Sequence, residues 1–469
     1  MGQLYIDGQF GPAADGTIGE VTEKATGTVI GSYARAGAAD IDRAVAAARR
    51  AQPGWAALSA PDRSARLRRF AQILETRFDE LVELSMRETG GVRAKAEDEV
   101  GTSIKQLHIS AVQVGENAGD VLPPYKADKL SLSRAIPLGV LGVITPWNYP
   151  MNLAMRAVAP GLAFGNTIVL KPAELTPIIG GQVLAEAAHE AGFPPGVFNV
   201  VTGDGVPAGQ ALAEHPGLDL VHFTGSREVG LAIAAHAAKT LQPVAVELGG
   251  NNAFLVLADA DVDLAASCAM IAALEFQGQT CISASRHIVH RAVADRYVAA
   301  LVERISALRV GDPMTDAVEQ GPLISEIQRD RLHRTIVEPS IAKGAEVAIG
   351  GSYDGLFYQP TVLTGVTPDM PAFTEEIFGP VLPVTVVDSE EQAVELINGY
   401  PMLMNSVFTA DLIHGMTVAE RLQAGEVHVN DAHARHGAEN QMPGFTKRQW
   451  IGVQRGPLEL PAWTRRHQA

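Results

Sequence analysis

The sequence predicts an α/β fold built from two doubly wound domains, each with a mostly parallel sheet between layers of helices. Three observations lead to this prediction. The chain has 469 residues, more than one hydrophobic core usually serves. Short apolar runs alternate with segments of helical periodicity along most of its length. Its 46 glycines and 28 prolines supply the turns that such alternation needs.

Helical spacing comes first along the chain. Apolar residues recur at positions i, i+3, i+4 and i+7 behind Asp40, whose side chain can cap a helix; they are Ile41, Ala44, Val45 and Ala48. Similar spacing continues through 67–81. We therefore expect the first hundred residues to be mostly helical.

Strand-like and helical runs then alternate in two series, as parallel doubly wound sheets require. The first series comprises 167–170, 179–191, 198–201, 208–214, 220–223 and 229–238. The second begins near Ala253 and continues through 293–308, 346–349, 384–387 and 391–397. Between the helical segment and the first series, residues 130–135 alternate apolar with polar side chains, which predicts an exposed strand that pairs with a partner.

Composition excludes several classes of function. A formal net charge of −16 argues against a nucleic-acid partner, since phosphate backbones are bound by clustered Lys and Arg. The chain has 2 cysteines, too few for a disulfide framework, and no apolar run long enough to cross a bilayer. We expect a cytoplasmic protein that does not bind membranes.

Three residues are candidates for chemistry. Cys281 follows the polar, glycine-containing segment 276–280, although a lone intracellular cysteine is more often a small buried hydrophobe. Glu247 ends an apolar run before a Gly-Gly turn, where poor solvation would raise its pKa and suit a general base. Asn148 stands between two prolines and, taken alone, would be a turn residue.

The motifs around these residues make the chain resemble the aldehyde dehydrogenase superfamily over nearly its whole length. They occur in the family's order and approximate spacing: TPWNYP at 145–150, LKPAE at 170–174, FTGS at 223–226, ELGGN at 247–251, GQTC at 278–281 and EEIFGP at 375–380. One motif alone would be weak evidence, but the set is highly specific. Cys268 matches no motif and is expected to be a helix-packing residue.

The resemblance implies two doubly wound α/β domains plus a small β oligomerisation flap. The NAD-binding domain would comprise 1–119 and 138–246, and the catalytic domain 247–444. The flap, 120–137, would be joined by a C-terminal strand within 445–469 that pairs across a dimer. A homodimer or homotetramer is implied.

The resemblance also assigns catalytic roles. Cys281 would attack the aldehyde carbon, and the resulting oxyanion would accept hydrogen bonds from the Asn148 amide and the Cys281 backbone N–H. Hydride transfer to a nicotinamide would leave a thioester, which Glu247 would hydrolyse by deprotonating a water. Intact Cys281, Glu247 and Asn148 argue against a catalytically silent relative, and Glu247 argues against an acylating enzyme that uses coenzyme A.

By the same resemblance the cofactor-binding residues are Trp147, Lys171, Glu174, Gly225, Ser226, Glu376 and Phe378. The Glu174 carboxylate would face the adenosine ribose and repel a 2′-phosphate, so NAD is favoured. Arg227 is a cation that could help a phosphate, so NADP stays open. No metal is expected: His433 and His436, near His428, fit a solvated or substrate-lining loop better than a metal site.

The substrate must be predicted from less specific features. Segments 136–140, 152–156 and 159–163 look closest to the benzaldehyde and vanillin dehydrogenase branch, so we expect an aromatic aldehyde. Aliphatic aldehydes and semialdehydes stay open, and Arg156 and Arg435 are candidate cations for a semialdehyde's carboxylate. The chain departs from its family at 400–403 and 442–452.

Overall fold

The computed structural model describes residues 2–114, 119–123, 130–400, 402–433 and 464–468. The strands are β1 (Leu4–Ile6), β2 (Gln9–Gly11), β3 (Ile18–Thr22), β4 (Val29–Ala34), β5 (Gly119–Leu122), β6 (Ser131–Pro137), β7 (Val140–Ile144), β8 (Thr167–Lys171), β9 (Phe198–Val200), β10 (Leu220–Gly225), β11 (Val244–Leu248), β12 (Ala253–Val256), β13 (Arg286–His290), β14 (Glu346–Ile349), β15 (Tyr353–Asp354), β16 (Phe357–Tyr358), β17 (Thr361–Thr364), β18 (Val381–Val387), β19 (Met404–Phe408), β20 (Glu426–Val429) and β21 (Thr464–Gln468).

The α-helices are α1 (Ala38–Ala56), α2 (Ala60–Thr76), α3 (Phe78–Thr89), α4 (Arg93–Gln113), α5 (Pro150–Ala163), α6 (Val183–Glu190), α7 (Gln210–Ala213), α8 (Arg227–Ala238), α9 (Val262–Leu274), α10 (Arg291–Ser306), α11 (Glu326–Asp330), α12 (Glu338–Ala342), α13 (Pro371–Thr374), α14 (Glu390–Asn398) and α15 (Leu412–Arg421). Short π-helical or 3-10 segments adjoin several of them, at Ile178–Gln182, Gly205–Gly209, Glu275–Gly278 and Arg331–Val337.

The first sheet has the order β11-β10-β7-β8-β9-β1-β2. Strands β11 to β9 in this order are parallel, while β1 and β2 extend the edge antiparallel. Successive residues of β7 face opposite cores: Val140 packs in the core that includes α1, and Leu141 in the core that includes α2 to α6. Both faces are therefore covered by helices, as in a doubly wound sheet.

The second sheet has the order β14-β17-β18-β13-β12-β19-β20 and is parallel except for β14. It too separates two cores, with Leu255 on one face and Phe254 and Val256 on the other. The predicted pair of doubly wound α/β domains is confirmed, and Cys268 packs in a core on α9 as expected.

The expectation that the first hundred residues are mostly helical is confirmed, although the sequence did not predict the strands that precede the helices. Helices do occupy most of 38–113, but β1 to β4 precede them. Leu4 and Tyr5 are buried, and Tyr5 pairs with Val200 at the edge of the first sheet. Strands β1 and β2 have three residues each, too few to show a period of two, and β1 finds a pairing partner in the distant β9.

A third, three-stranded sheet contains the predicted flap, in the order β21-β6-β5. We expected the C-terminal strand to pair across a dimer. Within this chain β21 pairs antiparallel with β6, so the flap and the C-terminal strand share one sheet, and pairing across a dimer stays a prediction. Within the described ranges, no helix is long and apolar enough to cross a membrane.

Candidate active site

The candidate residues of the first domain lie at one edge of its sheet. Asn148 follows β7, Lys171 ends β8, Gly225 ends β10, and Glu247 is the penultimate residue of β11. Because carboxyl ends of parallel strands meet at one edge, four segments far apart in sequence converge there. This edge is where doubly wound folds bind ligands.

The segment that leads to Cys281 has an unusual backbone. Phe276, Gln277 and Gly278 have φ values of 49°, 54° and 66°, all in the left-handed region. Hydrogen bonds hold the following residues: the Asn148 Nδ2 donates to the Gln279 carbonyl at 3.0 Å, and the Asn252 Nδ2 donates to the Cys281 carbonyl at 2.8 Å. This segment, residues 276–281, which we call the nucleophile loop after the role predicted for Cys281, is therefore held by residues of both domains.

The charges around Cys281 act on one another in a poorly solvated space. Burial raises the pKa of the Cys281 thiol to about 12, helped by the negative charges of Glu376 and Glu247 and opposed by Arg156. Burial also raises the pKa of Glu247 well above its usual value, again opposed by Arg156. The free protein thus holds a thiol and a carboxyl group of raised basicity close together, as the sequence predicted for Glu247.

Asn148 is 3% exposed, and within the described residues its Oδ1 has no hydrogen-bond partner. An amide nitrogen carries two N–H groups, so the bond to the Gln279 carbonyl leaves a second donor. Asn148 lies in a bend, as the turn interpretation expected, but it is also buried and bonded to the segment that leads to Cys281. The environment is that of a positioned amide beside the nucleophile loop.

At the end of β8, the buried Lys171 ammonium lies 3.2 Å from the Glu174 carboxylate, whose side chain is 41% exposed. Next to it, Ser226 caps α8: its hydroxyl accepts a hydrogen bond from the Val229 N–H. Gly225 precedes the cap and ends β10. A helix N-terminus at a sheet edge suits a phosphate, and a carboxylate suits ribose hydroxyls, so these residues fit a dinucleotide.

Glu376 approaches the turn that follows Glu247. Its carboxylate accepts a hydrogen bond from the Gly250 N–H, and burial raises its pKa to about 7. A β-carbon on Gly249 would lie 2.1 Å from the Glu376 Oε1, so glycine makes room for this approach. That oxygen has no partner within the described ranges, which leaves an acceptor for a ribose hydroxyl.

The Trp147 and Phe378 rings meet edge to face, with centroids 5.5 Å apart. Phe378 has a φ of 49°, and its carbonyl accepts a hydrogen bond from the Gln328 amide at 2.7 Å. Arg331 donates to the Glu376 and Ile377 carbonyls at 3.1 and 2.7 Å. These two supports were missed from the sequence because they lie more than 40 residues before the segment they hold.

For the histidines near the C-terminal end, the sequence predicted a solvated or substrate-lining loop. His433 is fully buried, and its Nδ1 lies 2.8 Å from the Ser406 hydroxyl, so the solvated interpretation is wrong for this residue. His428 lies on β20. His436, Arg435, Pro401 and the divergent segment 442–452 lie outside the described residues.

Residues 402–403 of the other divergent segment contact the nucleophile region. The Leu403 N–H donates to the Asn252 Oδ1 at 2.9 Å, and the amide nitrogen of the same Asn252 holds the Cys281 carbonyl. The Arg286 guanidinium lies over the ring of Tyr400, and its central carbon is 4.8 Å from the ring centroid. This departure from the family pattern therefore adjoins the site.

Comparison with known proteins agrees with this geometry. The aldehyde dehydrogenase family matches residues 11–468. This chain belongs to the aldehyde dehydrogenase family. It is 40% identical to the benzaldehyde dehydrogenase [NAD(+)] of Pseudomonas putida over 467 residues, 96% of each chain. It is also 40% identical to the vanillin dehydrogenase of an Amycolatopsis species, covering 89% of this chain and 86% of that one.

Other aldehyde dehydrogenases are nearly as similar. The mitochondrial succinate-semialdehyde dehydrogenase of Arabidopsis thaliana is 37% identical, covering 92% of this chain and 82% of that one. The crystal structure of an NAD-dependent aldehyde dehydrogenase from Sinorhizobium meliloti superposes with a TM-score of 0.93 at 35% identity, covering 100% of this chain and 94% of that one. An NADP-dependent enzyme from E. coli superposes with a TM-score of 0.94 at 33% identity, covering 100% and 97%.

The protein is therefore an oxidoreductase that acts on an aldehyde group, with NAD as its cofactor and NADP still open. The residues at the sheet edge fit that cofactor: Ser226 caps the helix that would face its phosphates, and Glu376 offers an unpaired acceptor. Bound here, NAD supplies the hydride acceptor of the reaction.

Proposed function

We propose that this enzyme oxidises an aromatic, benzaldehyde-like aldehyde to the carboxylic acid through a thioester on Cys281. The similarity to benzaldehyde dehydrogenase over 96% of both chains supports the substrate class. The electrostatic proximity of Glu247 to Cys281, and the bond from the Asn148 amide to the nearby Gln279 carbonyl, support the chemistry.

In the first step the Cys281 sulfur attacks the aldehyde carbon, and the thiol proton leaves to water. The raised pKa makes the thiolate scarce but strongly nucleophilic, while the Arg156 charge favours it. The carbonyl oxygen becomes an oxyanion as the C–S bond forms. It accepts hydrogen bonds from the second N–H of the Asn148 amide and from the Cys281 backbone N–H.

Loss of hydride from the carbon leaves a thioester on Cys281. Glu247 then removes a proton from a water molecule, whose oxygen attacks the thioester carbon. The C–S bond breaks, the acid leaves, and the sulfur regains a proton. Glu247 suits this step because its raised pKa makes it a stronger base than an exposed carboxylate.

The proposal predicts that Cys281→Ser abolishes NADH formation, because a serine hydroxyl is a far weaker nucleophile than a thiolate. Cys268→Ser is the matched control: Cys268 packs in a core on α9 and should leave activity intact. The wild-type kcat/KM for benzaldehyde should exceed that for hexanal by about tenfold or more. Full activity in Cys281→Ser would refute the thioester route, and a preference for hexanal would refute the aromatic substrate.

A semialdehyde is a second candidate substrate, and Arg156 is the observation that favours it. Its guanidinium is half-buried, senses the charges of Glu247 and Cys281, and has no hydrogen-bond or ion-pair partner within the described ranges. A cation in this position can bind the distal carboxylate of a substrate. One relative, as reported above, is a succinate-semialdehyde dehydrogenase.

This second candidate predicts that Arg156→Leu lowers kcat/KM for succinic semialdehyde about a hundredfold, because a desolvated carboxylate loses its counter-ion. Benzaldehyde has no carboxylate, so kcat/KM for benzaldehyde should fall much less in this variant. The benzaldehyde measurement is the control, because any loss there reports the effect of Arg156 on the Cys281 thiol. Equal losses for the two aldehydes would exclude the semialdehyde.

We also propose that 1–119 and 138–246 form the NAD-binding domain and 247–444 the catalytic domain, with β11 of the first sheet extending two residues past this boundary. The flap would join subunits into a homodimer or homotetramer. Exposed apolar side chains on and beside it, Val121, Leu130 and Leu132, support this role.

A further inference from the structure

A buried lysine lies behind the segments that carry Asn148 and Cys281. Lys95 is on α4, its side chain is 1% exposed, and its Nζ lies 2.5 Å from the Glu99 Oε2. Desolvation lowers the pKa of Lys95, and the Glu99 charge opposes this effect. A buried ion pair of this kind is weak evidence for stability alone, and the proposed chemistry gives Lys95 no role.

The Lys95 ammonium also lies between two aromatic rings. It is 4.5 Å from the ring centroid of Tyr149 and 4.5 Å from that of Phe276, both within the range of about 6 Å over which a ring face attracts a cation. The two rings meet edge to face, 5.8 Å apart. The positive charge of Lys95 therefore attracts both rings and restrains their positions.

Each ring is attached to a segment that carries chemistry. Tyr149 directly follows Asn148, and Phe276 begins the left-handed run that leads to Cys281. A bulky side chain at a φ of 49° persists only where its surroundings hold it. The contact with Lys95 is one such restraint.

Further bonds tie this cluster into the scaffold. Glu99 accepts hydrogen bonds from the Met151 N–H at 2.9 Å, in the first turn of α5, and from the Ser85 hydroxyl at 3.0 Å. The Tyr149 hydroxyl donates to the Glu275 carboxylate at 3.0 Å, just before Phe276. Helix α4 is thereby linked to both segments through side chains that do not reach the reacting atoms.

We propose that Lys95 is a positioning residue, whose ammonium clamps the rings of Tyr149 and Phe276 and so sets the Asn148 amide against the Cys281 sulfur. This rests on the proposed function, in which those two groups act together. Loosening the clamp should let the nucleophile loop move, which misplaces the sulfur and admits water to it.

The test uses Lys95→Met combined with Glu99→Gln, so that no buried charge is left unpaired, in a Cys268→Ser background with one remaining thiol. We expect kcat to fall about tenfold or more from misplacement, with the KM for NAD within about twofold. Alkylation of Cys281 by iodoacetamide should become faster, since a better solvated thiol has a lower pKa. Glu88→Gln, a change at another fully buried carboxylate, is the control and should leave both readouts unchanged.

A folded double variant with kcat and alkylation rate within about twofold of its parent would overturn the proposal. If the double variant fails to fold, Tyr149→Phe and Tyr149→Leu provide the test. Phenylalanine keeps the ring face, so activity should stay within about threefold, whereas leucine removes it and should cost about tenfold. Equal activities would overturn the clamp. Activity surviving in Cys281→Ser would instead refute the proposed function, whatever Lys95 does.

Discussion

At the residue scale, the site places the Cys281 thiol and the Glu247 carboxyl group in one poorly solvated space, which affects their proposed roles in opposite ways. In the proposed mechanism Cys281 must lose a proton to attack, yet burial and the charges of Glu376 and Glu247 disfavour the thiolate. Glu247 gains basicity from the same burial. The positive charge of Arg156 lowers the pKa of both groups and so opposes the effect of burial on each.

Glu247→Gln should separate the two halves of the reaction. The initial burst of NADH should remain, and need not slow, because removing this negative charge removes one cause of the raised Cys281 pKa. Steady-state turnover should fall about a hundredfold or more through loss of the base. In the wild type, turnover should rise with pH as Glu247 loses its proton, at a pH above the ordinary pKa of 4.5.

Rapid-mixing and steady-state NADH measurements across pH would check this prediction. The variant should lack the rising limb of the pH profile. Normal turnover in Glu247→Gln, or an unchanged rising limb, would remove Glu247 from the hydrolytic step.

At the scale of elements, the nucleophile loop depends on close approach of backbones. Gly278 has a φ of 66°, and a β-carbon there would lie 2.3 Å from the Gly379 carbonyl oxygen. The positive φ and the contact with a carbonyl oxygen are both properties of the backbone, so the movement of a flexible side chain cannot relieve them. The loop of Cys281 is thus fitted against the loop that carries Glu376 and Phe378.

Gly278→Ala should therefore separate these loops and lower kcat about a hundredfold, the effect expected of a misplacement near 1 Å. The melting temperature should fall as well. Gly101→Ala is the matched control, since a β-carbon on that helical glycine meets no atom within 4 Å and alanine favours helices. Wild-type kinetics in Gly278→Ala would show that the contact does not position the thiol.

The elements themselves could largely be predicted from the sequence. The alternating runs became β8, β9, β10 and the helices between them because each buries a regular apolar pattern. Asn148, Glu247 and Cys281 were found through their motifs. Lys95, Arg331 and Asn252 were not, because each acts through contacts with residues distant in sequence, and only the fold brings those together.

At the scale of the whole molecule, the sheet of β21, β6 and β5 joins the end of the chain to its first third. The pairing covers five residues of β6, from Ser133 to Pro137. Loss of β21 would expose an edge of β6, and exposed edges recruit other strands.

Deletion of 464–469 should therefore lower the melting temperature and produce mixed or aggregated species in light scattering after size exclusion. Deletion of Ala469 alone, beyond the strand, is the control and should leave a single species. Should the longer deletion behave like this control, the strand would be dispensable for assembly.

The support given by Arg331 and Gln328 to the loop of Glu376 has one more consequence. Their bonds to this loop all go to backbone carbonyls, those of Glu376, Ile377 and Phe378, and Arg331 also donates to the Gln328 Oε1. The path of this loop is thus supported at its backbone by two side chains that lie outside it. Evolution could therefore exchange the carboxylate and the ring to suit a different nucleotide without rebuilding the loop.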